Sequence, residues 1–395
     1  MAQALKFGKG VWATKTGSSM AYSDTNDRYK PLPFNVERDS IATRVNKEGL
    51  IEVVGHDKLR IDYTDTDKGV ALLEPSRSNL FPYSEDFESS DWTKNAGTTI
   101  TNNYAISPDG TLNASRYLGT GASGLGDKFT LSATDYTISF WVKSNTSQNQ
   151  FCRIIIDSSN VSDNIEVTTE WKRITFTAQG SGLSNKTNGI FRDSYDNDID
   201  ILIYGAQLEQ GNLSSYIPTS GSAVTRAADV ANNAGNSEVF NDSEGVLFAD
   251  IAALANDGTF KLTSISDGST SNRITLGYSN TDNKLYIQVH SGGVAQVNFS
   301  YSIANSLLYS KLALSYKLNN VIIWVNGIKG TSDTSANMPN GLSEFNFNYT
   351  NNLPFYGKTK EIGYYDEILT DSELEYLTSY RTLSELVKEL NLNTL

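Results

Sequence analysis

The sequence predicts an all-β chain: two tandem antiparallel β-sandwiches behind an extended N-terminal segment, with a short C-terminal helix. Three observations predict it. Apolar and polar residues alternate at period two through much of residues 79–380, which puts successive side chains on opposite faces of a sheet. Of 395 residues only 38% are apolar, yet aromatics reach 11% with 21 Tyr, and Asn, Ser, Thr and Gly fill the intervals as turn formers. Finally, Asn326-Gly327 inside the apolar run 321–329 supplies the two positive φ angles that a type I′ hairpin turn demands.

Residues 1–78 are read as an extended N-terminal segment. They carry 12 Lys+Arg against 11 Asp+Glu, so the acidity of the chain, −13 overall, lies in the remainder. Apolar runs such as 50–54 and 70–73 are too short for a core of their own, so this segment either gains order against something else or stays a floppy leader.

Residues 79–224 form the first expected sandwich. In the strand 136–143, Ile138, Phe140 and Val142 fall on one face and Ser139, Trp141 and Lys143 on the other. In 170–177, Ile174 and Phe176 point inward and Arg173 and Thr175 outward. Residues 199–204 make another strand, and Leu80, Phe87 and Trp92 open the domain. Residues 225–380 form the second sandwich, with alternation at 273–278, 285–289 and 311–316 ahead of the Asn326-Gly327 hairpin. Ser372-Glu373-Leu374-Glu375 reads as a capping box. A second, Thr382-Leu383-Ser384-Glu385, opens an amphipathic helix over 381–395, with Leu383, Leu386, Val387 and Leu390 at helical spacing. That helix packs either on its own sandwich or in an oligomer contact.

Composition excludes several functions. Net charge of −13 disfavours attraction to phosphate backbones or anionic lipid, and no apolar run approaches the about 20 residues of a membrane span. Neither nucleic acid nor membrane insertion is expected. A single Cys152 forms no internal disulfide, and with two His, His56 and His290, there is no zinc cluster. Cys152 sits in the apolar run 151–156 and reads as a buried inert thiol. The N-terminus lacks the apolar stretch of a secretion signal, so folding in cytoplasm is expected and sequons such as Asn145-Thr146-Ser147 are incidental.

Few strings carry chemistry. Gly119-Thr120-Gly121-Ala122-Ser123-Gly124 matches GxGxxG, but a strand-like run follows where a nucleotide site needs a helix, so it reads as a loop. Asp193, Asp196, Asp198 and Asp200 crowd carboxylates together, with Asp196, Asp198 and Asp200 on one strand face. They either collect a hard cation, a structural calcium, or lie on a solvated edge. No carboxylate pair is singled out for hydrolysis, and both histidines read as plain surface residues rather than members of a triad. No catalytic residue and no other cofactor is expected.

Recognition by surfaces remains. Sugar-binding sandwiches set an aromatic against the sugar ring and use fork-like donors and carboxylates for its hydroxyls. The outward set Trp141, Lys143, Arg153 and Arg173 is the candidate carbohydrate site. The alternative packs Trp141 beneath a neighbouring subunit or loop. Sandwich-tip loops 266–272 and 279–283 are further contacts, because rigid sheets present variable loops.

Glu74-Pro75-Ser76-Arg77-Ser78-Asn79-Leu80-Phe81-Pro82-Tyr83-Ser84-Glu85-Asp86-Phe87, with Tyr204-Gly205-Ala206-Gln207-Leu208-Glu209 and Tyr216-Ile217-Pro218-Thr219-Ser220-Gly221, resembles the opening and closing strands of carbohydrate-binding-module-like jelly rolls in bacteriophage tail and fibre proteins. Ser139-Phe140-Trp141-Val142-Lys143 and Trp171-Lys172-Arg173 look like internal strands of that family. The order Ala313-Leu314-Ser315-Tyr316, Trp324-Val325-Asn326-Gly327 and Glu361 through Leu374 resembles the second half of concanavalin-A-like, laminin-G-like lectin domains. Residues 34–52 are similar to the leader that precedes such modules in phage proteins. The resemblance implies a virion protein of the fibre, tail-tip or head-decoration kind, made in the host bacterial cytoplasm. It also implies a homotrimer, docked to other virion proteins through its N-terminal segment and adhering to host-surface glycan. A purely architectural component and a glycan depolymerase are the alternatives.

Overall fold

The computed structural model describes residues 5–8, 20–23, 28–31, 35–64, 66–193, 197–349 and 353–380. It is all-β, built of antiparallel sheets with one short helix. Two compact units each draw on separate stretches of chain. One contains residues 39–55 and 76–227, the other residues 1–38, 56–75 and 228–395. The expected helix over 381–395 and the second capping box lie outside the described residues.

The first unit is a two-sheet sandwich. One sheet has five strands in the order Thr98–Ile106, Leu112–Gly119, Ile199–Gln210, Asp135–Ser144, Lys172–Gln179. The facing sheet runs Thr93–Lys94, Gly124–Phe129, Lys186–Arg192, Gln150–Ile156, Asn160–Val161, with Ile165–Val167 also on Gln150–Ile156. The expected alternation holds: Ile138, Phe140, Val142 and Ile174 are buried in the core with Phe81, Phe87 and Trp92. Cys152 lies fully inside this core, and burial pushes its thiol up to about 12, which keeps it protonated and inert. Glycines 119 to 124 join two strands with no helix between them, as a loop reading requires.

The strings that open and close this unit meet as a polar latch. Asn79 Nδ2 donates to the carbonyls of Ala206 and Ile217, both at 2.9 Å, while its Oδ1 accepts from Phe81 N and Leu208 N. Ser84 Oγ accepts from Thr219 N at 2.8 Å, and Gln207 Oε1 accepts from Ile217 N at 2.7 Å. These buried groups satisfy backbone where chain ends come together, which explains why polar residues recur there.

The second unit is the larger sandwich. Its big sheet runs Ile328–Asp333, Asn320–Val325, Ser310–Lys317, Glu244–Ala253, Gly357–Tyr365, Val70–Leu73, Arg60–Asp62, with Leu5–Gly8 also on Gly357–Tyr365. The facing five-stranded sheet runs Val294–Ser302, Lys284–Ser291, Arg273–Tyr278, Lys261–Ser266, Glu344–Asn346. Leu247, Ile251, Leu314 and Ile362 meet Ile265, Ile274, Ile287 and Val289 in the core. Val325 pairs with Ile328 across Asn326 at φ 49° and Gly327 at φ 82°, the hairpin the sequence demands.

Segment 1–78 is divided between the units. The hairpin Ala42–Val45 and Ile51–Val54 belongs to the first, while Arg60–Asp62 and Val70–Leu73 complete the big sheet of the second. Runs too short for a core of their own gain order by pairing. Where segments of the second unit begin and end, Arg38, Arg60, Glu74 and Asp229 form a buried ion network. Arg38 reaches Asp229 at 2.8 Å, Arg60 reaches Glu74 at 2.5 Å, and Arg60 also pairs Asp229. Burial opposes the Arg60 charge, but Glu74 and Asp229 outweigh it and hold the guanidinium above its ordinary range.

The helix Asp371–Thr378 lies on the outer face of the big sheet, where Leu374 packs with Val246, Phe248 and Trp324. Its cap corrects the sequence reading. Thr370, not Ser372, is the N-cap: its Oγ1 accepts from Glu373 N at 3.3 Å, and the Glu373 carboxylate accepts from Thr370 N at 2.9 Å. Starting there turns Leu374 inward and sets Asp371 and Glu373 in the first turn, where the helix dipole favours them.

Candidate functional site

In each unit the five-stranded sheet turns one face away from the core, and these two faces carry the polar clusters described next. In the first unit, Trp141 and Arg173 are cross-strand partners on that face, and Arg173 Cζ sits 4.3 Å from the Trp141 ring. Each guanidinium nitrogen has an acceptor within the protein. Nε and Nη2 donate to Ser139 Oγ at 3.2 and 3.0 Å, and Nη1 to the Ser214 carbonyl at 2.7 Å. Tyr204 and Tyr216 meet the indole edge-on at 6.2 and 5.5 Å.

Both tyrosine hydroxyls converge on one carboxylate. Tyr204 and Tyr216 donate to Glu85 Oε1 at 3.2 and 2.8 Å, and Tyr204 also to Asp109 at 3.1 Å. Burial, then these carboxylates, hold both phenols far above their usual range, so they remain hydrogen-bond donors. The hairpin of residues 42–54 is tied in by Thr43 Oγ1 to the Tyr216 carbonyl at 2.5 Å, and by Ile51 N to the Pro108 carbonyl. Ile51 and Trp141 both pack against the cluster of Ala114, Tyr204 and Tyr216. Trp141 therefore lies in a packed, internally bonded cluster.

The rest of the expected set separates. Lys143 follows on the Trp141 face, half-buried. Arg153 stands in the facing sheet, where its Nε donates to the Arg192 carbonyl at 3.3 Å. The structure thus brings Trp141, Lys143 and Arg173 onto one sheet and places Arg153 on the other. The consecutive strands Asp135–Ser144 and Gln150–Ile156 lie in different sheets here, which period-two reading alone does not register.

For the acidic cluster, Asp196 lies outside the described residues. Asp198 is exposed just before the strand that begins at Ile199, so it and Asp200 do not share a strand. The Asp200 carboxylate is committed: Arg116 grips it through two bonds of 2.8 and 2.7 Å and Asn145 adds a third. The Arg116 hydrogen bond is what chiefly holds its carboxyl below the usual range. Among the described residues no group of three or more His, Cys, Asp or Glu is placed to hold a metal ion.

The outer face of the second unit's five-stranded sheet differs. Register pairs Ser266 with Arg273 and with Glu344, Ser264 with Asn346, Arg273 with His290, and Thr275 with Gln288. One face is thus polar across four strands, yet Ser264, Ser266, Arg273, Thr275, Gln288 and Asn346 are all buried. Beside it opens a cleft of about 210 Å³ whose lining includes Asn233, Ser266, Ser269, Glu344, Asn346 and Tyr349. Glu344 Oε1 accepts from Asn346 Nδ2 at 2.7 Å, Asn346 Oδ1 accepts from Asn233 N at 2.7 Å, and Tyr349 donates to Gln288 at 3.1 Å. The loop 266–272, anticipated as a contact, supplies one wall.

Arg273 does not itself line this cleft but lies behind Tyr349, which does. It is only 3% exposed, stacks 4.0 Å beneath the Tyr349 ring and donates through Nη2 to the Tyr349 hydroxyl, with His290 Nε2 at 3.4 Å. Its Nε and Nη1 are buried with no protein partner, as are Thr275 Oγ1 and His290 Nδ1 on the same face. Burial lowers the Arg273 guanidinium from its ordinary range, with Tyr286 and Asp267 opposing. Burial, then Arg273, lowers His290. Since Nδ1 has no partner, no carboxylate orients the His290 ring as a catalytic triad would require. Alternation in 273–278 and 286–290 puts Arg273, Thr275, Gln288 and His290 on one face, a signal present in the sequence but not used. Glu344 and Tyr349 join them from some 70 residues away, and nothing local marks those two.

No family model matches the sequence, and no curated protein matches it. Several solved structures are similar. The Ruminococcus gnavus IT-sialidase CBM40 bound to α2,3-sialyllactose aligns over 38% of this chain and 94% of that chain, at 15% identity and a TM-score of 0.32. Mouse laminin α1 chain domains LG4-5 align over 69% and 89% at 10% identity and a TM-score of 0.25. The N-terminal CBM22-1-CBM22-2 tandem domain of Paenibacillus barcinonensis Xyn10C aligns over 73% and 96% at 11% identity and a TM-score of 0.25. At such values the sandwich architecture rests on the strand order and register of this chain alone.

Proposed function

We propose that this chain is a carbohydrate-binding adhesion protein of a bacteriophage particle, and that the outer-face cleft of the second unit holds the glycan. The observation carrying the glycan reading is that cleft: amides, hydroxyls and a carboxylate converge on a recess beside a tyrosine ring, and the sheet face that it borders holds buried polar groups without protein partners. Buried polar atoms are ordinarily paired, and the exceptions concentrate where something else binds. At 210 Å³ the recess falls below the roughly 300 Å³ at which pockets for drug-sized ligands begin, so it takes one residue of a longer sugar chain. The face around Trp141 is bonded to itself and offers fewer open groups.

The virion assignment rests on the resemblance of residues 34–52 and of the strand strings to phage modules. A single shallow cleft of this kind binds weakly, since each contact must offset the cost of ordering the sugar. On a multimeric particle, effective concentration strengthens the overall binding by roughly two to four orders of magnitude.

The test is a glycan array probed with the assembled oligomer, followed by cryo-EM of the particle. Binding that Asn346→Ala and Glu344→Gln abolish, with density for the chain at a tail or capsid surface, supports the reading. An oligomer that binds no glycan would be architectural. Release of new reducing ends from purified host polysaccharide would identify a depolymerase.

A further inference from the structure

Arg273 is an anomaly within its own unit. Arg60 is as deeply buried, but two carboxylates meet it. Arg273 donates to a phenol and an imidazole, both neutral, and its Nε and Nη1 meet no acceptor in the protein. A buried cation that no carboxylate contacts is costly to keep. The cost is offset when an anion arrives, and guanidinium forks match oxyanions through paired N–H bonds.

Resting on the glycan reading above, we infer that the cleft selects an anionic sugar residue, one bearing a carboxylate or a sulfate, with Arg273 as its specificity-determining group. Nε and Nη1 lie in the guanidinium plane on either side of Nη2, which holds the Tyr349 hydroxyl. An oxyanion replacing that hydroxyl at Nη2 pairs with one of these two as well and forms a two-bond fork. The Tyr349 ring covers the guanidinium face, so the anion approaches in plane. Glu344 already accepts from Asn346 and Ser266 through Oε1, which leaves Oε2 for sugar hydroxyls. Thr275 Oγ1 and His290 Nδ1 add unmet groups on the same face. The chain as a whole is acidic, so this preference is local to one arginine and not a product of net charge.

The experiment uses the full chain on an array that prints each carboxylate-bearing oligosaccharide beside its carboxyl-reduced counterpart and each sulfated one beside its desulfated counterpart. The best pair is then titrated calorimetrically against wild type, Arg273→Gln and Arg273→Lys, with Arg173→Lys as a control in the other unit. The expected result is binding at least about tenfold tighter to the anionic member. Arg273→Gln removes that difference, Arg273→Lys retains part of it, and Arg173→Lys changes nothing. Whether the carboxylate or the sulfate arm responds identifies the anion. If Arg273→Gln fails to fold, as circular dichroism will show, Tyr349→Phe replaces it. That variant frees Nη2 and should tighten the anionic member only.

Equal binding of both members of every pair, or anionic preference that survives Arg273→Gln, overturns the inference and leaves the glycan reading standing. Equal effects of Tyr349→Phe on both members overturn it too. Absence of any bound glycan overturns both.

Discussion

Arg173 and Arg273 each stack on an aromatic ring from the outer face of a five-stranded sheet, at 4.3 Å from Trp141 and 4.0 Å from Tyr349. There the likeness ends. Arg173 donates from each of its nitrogens to Ser139 or the Ser214 carbonyl, whereas Arg273 keeps two buried nitrogens whose N–H groups nothing in the protein accepts. The lesson is that an aromatic-plus-arginine pair is not in itself a binding site. What separates a structural clamp from a recognition surface is whether the polar groups are already satisfied.

The two arginines should therefore respond oppositely to the same substitution. Arg173→Gln loses three hydrogen bonds from a charged group and a cation–π contact, and should destabilise its unit by about 2–4 kcal/mol. Arg273→Gln removes a buried charge that no carboxylate contacts and should lie within about 1 kcal/mol of neutral, or stabilise. Denaturant melts that resolve the two units separately check this, since one midpoint for a chain of two units has no single meaning. A large loss from Arg273→Gln would mean that its partners lie within the fold after all, and the contrast would collapse.

The next test concerns how tightly the Trp141 face is closed. Gly205 has φ +61°, and a Cβ there would meet the Trp141 ring at 3.0 Å. Gly205→Ala should cost about 1–2 kcal/mol from left-handed backbone strain alone, with some loss of indole fluorescence anisotropy if the ring is pushed aside. A neutral outcome would show that the indole has room to move, and would restore Trp141 as a contact residue. Tyr216→Phe is milder. It removes the hydroxyl that bridges Ser84 at 2.7 Å and Glu85 at 2.8 Å, leaving a carboxylate oxygen with Tyr204 alone. About 1 kcal/mol is expected, read as a lower midpoint of the first unit only.

How much of this was legible in the sequence follows the range of the interactions. Strand faces were, because period two is local: Ile138, Phe140 and Val142 went inward as the alternation demands, and Asn326-Gly327 fixed its hairpin by backbone preference. The helix start was missed by two residues because both Thr370 and Ser372 can cap, and packing of Leu374 beneath Trp324 decides between them. Arg153 was grouped with Trp141 because strands consecutive in sequence cross between sheets in this unit. The Arg273 face was half-visible, four of its members alternating on two adjacent strands. Its partners Glu344 and Tyr349 arrive through chain closure over many residues, which no window of sequence contains.

The smallest effect is the most diagnostic, because it reads the unmatched face without perturbing it. Burial, then the adjacent Arg273 cation, disfavour the imidazolium of His290 and set its folded pKa below the ordinary 6.5. The unfolded chain therefore takes up a proton before the folded one does. The contribution to stability is fully present above that ordinary value, and it falls away as pH drops through it towards the lower folded pKa. In a His56→Gln background a single imidazole remains, and its NMR titration should show a depressed midpoint. Arg273→Gln should relieve the cationic part of that depression. An anionic sugar should relieve it too, by setting a negative charge beside Arg273, while a neutral sugar should not. Binding of the anionic member would then strengthen as pH falls, since protonating His290 adds a second cation to the same anion. A His290 midpoint indifferent to both Arg273→Gln and the anionic sugar would show that the two rows of this face do not act together, and that the distinction drawn between the two arginines is one of burial alone.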